Sequence, residues 1–247
     1  MIQQHPGYRH PRLNAGFAIV TLLVAAACSD RAPDKAATPS GNGAASVSVQ
    51  ADPVPPAVTQ VGHHSENIYD MAKISDWLAA RASTDSLRSA VELLPVSDAH
   101  AGAIRALSDT VSATADTLDR AVTSRDKRGA MRSANRLTQL GAMMAAPYSP
   151  RTPAGVTLLD FYGRELEFWA AMPSGPAEAH LSETASAVRR TWDGIRPQVI
   201  ARGGSSEAAS FDSLVSRVMT AKTRTQYAGL ATPVLDKVDF LERVFTR

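Results

Sequence analysis

From Ser65 onward the apolar residues of this chain recur at intervals of three and four, a spacing that only one class of fold satisfies. Ile104, Leu107, Val111, Thr114, Leu118 and Ala121 form the cleanest stripe. At about 3.6 residues per turn such positions share one helix face, which must be buried against another element. Similar stripes run through Ile68, Met71, Ser75, Leu78 and Ala82, through Met131 to Met144, and through Leu159, Tyr162, Leu166 and Trp169. Leu181 to Val199, Phe211 to Val218 and Val234 to Phe245 complete the set, and no window alternates as a strand would.

Breakers separate the stripes: Pro95, Arg128-Gly129, Pro147 with Pro150 and Pro153, Pro173 with Gly175-Pro176, and Gly203-Gly204. Ser97-Asp98, Asp126 and Ser205-Ser206 are N-cap candidates. Pro197 is expected to kink or end its helix, and Gly229 with Pro233 to break the last one. Short connections between amphipathic helices favour antiparallel neighbours. The expectation is therefore all-α: an up-and-down antiparallel bundle of about six or seven helices over residues 63–247. A reading as two duplicated helical units rests on Asp98-Ala99-His100 and Glu178-Ala179-His180, each opening a long helix, with Trp77 and Trp169 upstream.

The first 27 residues read as an export signal. Arg9 and Arg12 precede an apolar run from Ala15 to Val24, and Ala25-Ala26-Ala27 follow. The run falls short of the roughly 18 residues a membrane span needs. Next comes Cys28, the single cysteine of the chain. Val24-Ala25-Ala26-Ala27-Cys28 resembles the lipobox of bacterial lipoproteins, whose cysteine becomes the lipidated N-terminus. The position three before the cysteine is usually Leu in that motif, and here it is Ala25. The resemblance implies a bilayer anchor at Cys28 and, with Ser29 following, a periplasm-facing place at the outer membrane. Ala25-Ala26-Ala27 also suits ordinary cleavage, which would leave a soluble periplasmic protein. Residues 28–62, rich in Ala, Pro, Ser and Gly, are expected to be a disordered linker.

Charge narrows the partners. Arg9 and Arg12 leave with the signal, which holds no acid, so the 26 Lys and Arg fall to 24 and match the 24 Asp and Glu. A neutral chain without basic runs argues against nucleic acid, whose binding rests on phosphate neutralisation. One cysteine permits no disulfide.

Two places carry candidate chemistry. His63, Glu66 and Asp70 are spaced by three and four, and one helix face would hold an imidazole and two carboxylates, a donor set for a divalent transition metal. Asp160 and Arg164 form an i,i+4 pair near Trp169, and with Trp77 they could line a pocket. Asp236, Asp239 and Glu242 read as a solvated carboxylate face. No nucleophile, zinc-hydrolase, P-loop or dinucleotide motif occurs, and no motif calls for a cofactor. The expectation is a tethered binding or scaffold module for an envelope protein, rather than an enzyme. The alternative is a bundle that holds a metal ion or small ligand.

Overall fold

The apolar stripes fold as helices. A computed structural model of the chain describes residues 53–95, 101–173 and 175–247. The export signal, Cys28, most of the linker, Asp98 and His100 lie outside the described residues. Among the described residues there are eight α-helices and no strand: α1 (Pro56–Ile74), α2 (Trp77–Glu92), α3 (Ala101–Thr123), α4 (Lys127–Ala145), α5 (Ala154–Ala170), α6 (Pro176–Ala201), α7 (Ser205–Thr220) and α8 (Arg224–Thr246). None is long and apolar enough to cross a membrane.

The bundle starts earlier than expected. Residues 56–62 are the first turns of α1, not linker. Pro56 stands where helices accept proline, because the first N–H has no intrahelical partner. Val58 and Val61 then extend the buried stripe of Ser65, Ile68 and Ala72 backwards.

The bundle also holds eight helices where six or seven were expected. The stripe from Ile68 to Ala82 crosses a chain reversal at Ser75-Asp76. Ser75 is left-handed (φ 64°), and the Asp76 N–H returns to Met71 O at 2.8 Å, closing α1. Asp76 then starts α2 by accepting from Ala79 N at 3.1 Å. The turn between α3 and α4 repeats this design. Arg125 is left-handed (φ 57°), Asp126 N returns to Ala121 O at 2.8 Å, and the Asp126 carboxylate accepts from Gly129 N at 3.1 Å. The expected cap at Asp126 is thus present, whereas α7 has Gly204, not Ser205 or Ser206, at its cap position.

Pro197 and Pro233 do not end their helices, and α6 and α8 run through them. Each proline frees the carbonyl four residues back, on Asp193 and Gly229, and both residues are exposed. Water satisfies those carbonyls at little cost.

The helices form two closed circuits. In the first, α1 packs on α2, α2 on α3, α3 on α4, and α4 returns to α1. The second repeats the pattern from α5 to α8. The contact of α4 with α5 joins them, and one core with Tyr69, Tyr148, Trp192, Phe211 and Phe245 fully buried runs through both. The sequence matches for a duplication do not follow these circuits. Glu178 opens the second helix of its circuit, whereas Asp98 precedes the third helix of the other.

Backbone approach sets the position of α1. A Cβ at Gly141 would stand 3.3 Å from the Gly62 backbone, so α1 and α4 nearly touch there. With one side of α1 held on α4, residues 66–73 reach α5.

Candidate functional site

Helix α5 presents two polar faces, and each organises a cluster. The first meets α1 and α8 around Arg164. This side chain is 9% exposed, and its guanidinium lies over the Tyr69 ring at 5.1 Å. Nη1 donates to the Glu66 carbonyl at 3.2 Å, and Nη2 stands 3.6 Å from Asp70 Oδ2. Nε lies 3.1 Å from Asp160 Oδ2 without the alignment of a hydrogen bond, so this contact is an ion pair only. Tyr69 donates its hydroxyl to Glu167 Oε2 at 3.0 Å, and Lys73 pairs with the other oxygen of that carboxylate.

One guanidinium thus serves several carboxylates: Glu66 and Asp70 from α1, Asp160 from α5 and Glu242 from α8, with Asp239 beside Asp160 and Glu242. Burial pushes the Glu66 carboxyl up to about 8, with Asp160, Glu242 and Asp70 adding to the rise and Arg164 opposing it. Burial also raises Asp160 and Glu242, and neighbouring acids reinforce both shifts. Glu66 borders a cleft of about 240 Å³ between α1 and α4, which gives its proton a way out.

The second face of α5 meets α4 and α6. Glu165 accepts from Asn135 Nδ2 at 2.7 Å and from Trp169 Nε1 at 2.8 Å. Asn135 is 1% exposed and also donates to the Phe161 carbonyl at 3.2 Å. The Trp169 ring is stacked by His180 at 3.9 Å and 13°, with the Arg132 guanidinium at 5.7 Å. Glu165 opens onto a groove of about 350 Å³ walled by Phe161, Tyr162 and Thr184, with His180, Glu183 and Arg190 beside them. Its carboxylate is held by two neutral donors and has no cation within ion-pair distance among the described residues.

The residues chosen from sequence separate accordingly. Of the metal set, Glu66 and Asp70 join the Arg164 cluster while His63 is exposed and turns to the His64 ring. Among the described residues no three His, Cys, Asp or Glu come together as metal ligands. Arg164 is the cation beside these two residues, 3.6 Å from Asp70 Oδ2 and donating to the Glu66 carbonyl. The four-residue pocket does not form either. Asp160 and Arg164 pair toward α1 and α8, Trp169 lies on the other face of α5, and Trp77 begins α2 at the end of the bundle.

Asp236, Asp239 and Glu242 are exposed, as expected, and the last two also come within electrostatic reach of this cluster. Sequence reasoning missed Asn135 and Glu165 as a pair, because 30 residues and a helix reversal separate them. No protein-family model, curated protein or solved structure matches the chain.

Proposed function

We propose that this chain is an exported binding module, tethered through a lipid on Cys28 to the outer membrane and facing the periplasm. Its partner is an envelope protein that presents a lysine or arginine side chain to the groove between α5 and α6. Glu165 carries this reading. A carboxylate already positioned by Asn135 and Trp169, but lacking a cation, gains most from a charged donor. Tyr162 and Phe161 line the same groove and add aromatic surface beside the cation. Arg190 on the rim is exposed, with no ion-pair partner among the described residues, and suits an acidic neighbour of the bound side chain.

The indole N–H of Trp169 reports on Glu165 directly. Titration with acetyl-Gly-Lys-Gly-amide should move that proton resonance, assigned by its loss in Trp169→Phe. Glu165→Gln should abolish the response. A static resonance at millimolar peptide, or an unchanged response in Glu165→Gln, would overturn the groove as the binding site. For the tether, fatty-acid labelling of growing cells should tag the wild-type chain and not Cys28→Ser. An untagged wild-type chain in the soluble periplasm would remove it.

A further inference from the structure

The four odd-to-even turns of the bundle lie at one end. Arg81, one turn into α2, donates to Thr123 Oγ1 at 2.7 Å, which sets the α3–α4 turn beside the α1–α2 turn. Lys73 pairs with Glu167, and Arg224 donates to the Met172 carbonyl, bringing in the α5–α6 and α7–α8 turns. At this end the α1–α2 turn exposes large aliphatic side chains. Ile74 is 68% exposed and Leu78 is 85% exposed, with Trp77 half-buried between them. They stand at the turn itself and line neither the cleft at Glu66 nor the groove at Glu165.

The same end carries cations. Arg125, Lys127 and Arg128 in the α3–α4 turn and Lys222 before α8 are exposed, with no ion pair among the described residues. Each acid of the same turns accepts a backbone amide, and Glu178 also pairs with Arg224 at 3.9 Å. Asp76 accepts from Ala79 N and Asp126 from Gly129 N, each at 3.1 Å, and Glu178 accepts from Gly175 N at 3.0 Å. These acids are exposed, and four unpaired cations outnumber them at this end.

We propose that this end docks on an anionic lipid surface, with Ile74 and Leu78 entering the boundary between headgroups and acyl chains. An exposed apolar corner with an adjacent indole and unpaired cations at the same end matches the layering of such a surface. A protein partner would need a complementary hollow, whereas a fluid bilayer conforms to the corner. The geometry of a Cys28 anchor permits this contact. The chain from Cys28 to Pro56 reaches about 90 Å at full extension, against about 28 Å for the length of α1. This docking is independent of the groove at Glu165.

The test uses the full chain and vesicles of equal phosphatidylglycerol and brominated phosphatidylcholine, with brominated phosphatidylcholine alone as comparison. Bromine should quench tryptophan emission in the anionic vesicles, more weakly in the neutral ones, and not in Trp77→Phe, since Trp169 and Trp192 are enclosed by protein. The double variant Ile74→Asp with Leu78→Asp should lose the quenching while keeping its helical circular dichroism, because both side chains are exposed. Lys127→Gln and Arg128→Gln should each weaken the anionic dependence about fivefold, from ~1 kcal/mol per cation at such a surface. Equal quenching in both vesicle types, or none in either, would overturn the proposal. So would shielding of Trp77 that appears only on adding envelope proteins.

Discussion

Arg164 and Arg196 each meet an aspartate and an aromatic side chain, in the same bundle, with opposite electrostatic results. Arg196 on α6 grips Asp212 on α7 with two nitrogens at 2.8–3.0 Å, and the Trp192 indole donates to the same carboxylate at 2.7 Å. These hydrogen bonds, that of Arg196 foremost, hold Asp212 below the usual carboxylate range. Arg196 and Asp212 are 43% and 38% exposed, so water screens the attraction. Around Arg164 the pairing is poorer and the acids more numerous, and the shifts reverse: Glu66, Asp160 and Glu242 all rise. Good geometry lowers a carboxyl only where burial does not outweigh it.

The largest expected effect comes from removing the buried cation. Arg164→Leu should cost about 3–5 kcal/mol in urea unfolding at pH 7.5, because it leaves crowded carboxyls without their counter-charge. At pH 5, well on the protonated side of the raised Glu66 carboxyl, the loss should be smaller. An equal loss at both pH values would mean that Arg164 acts through packing alone.

Glu66→Gln should act in the other direction. A carboxyl raised from 4.5 to about 8 keeps its proton in the folded state across that window. Its stabilisation is complete below pH 4.5 and is lost as pH rises through 8, at about 1.4 kcal/mol per pH unit. Unfolding of the wild type should show this decline, reinforced by Asp160 and Glu242 at its acid end. Glu66→Gln should flatten it and stabilise the protein at pH 8.5 by about 3 kcal/mol.

The surface triad should respond less. Trp192→Phe removes one hydrogen bond to a charged acceptor and should cost about 1–2 kcal/mol, without altering the slope between pH 5 and 8. The smallest effect is expected from Arg196→Gln. Stability at pH 7 should barely move, but the titration of Asp212, followed by carboxyl carbon resonances, should rise toward its ordinary 3.8. Because Asp212 is lowered, its contribution is present above pH 3.8 and lost on acidification below it. The two clusters thus lose stability at opposite ends of the pH range.

Part of the Arg164 cluster was legible before the structure. Asp160 and Arg164 are one helical turn apart, and so are Glu66 and Asp70, so each pair shares a face by local geometry. What drew α1, α5 and α8 together was not local. Asp239 and Glu242 are exposed, as their spacing suggested, but nothing in α8 indicates that Asp160 lies within their electrostatic reach. The reversal at Ser75 was hidden for a different reason. Ser75 and Leu78 keep the apolar period while a left-handed residue and an aspartate cap turn the chain around.

By itself, then, the sequence determined that the chain is helical and where most helices lie. Residues three and four apart meet on one face whatever the rest of the chain does. It also marked Cys28 as the expected anchor from its immediate neighbours. The tertiary structure alone decided that two four-helix circuits share a core, that Asn135 positions Glu165, and that carboxylates from three helices gather around one arginine. Those arrangements depend on burial and on side chains tens of residues apart, and a carboxyl's proton affinity follows its surroundings in space, not its neighbours in sequence.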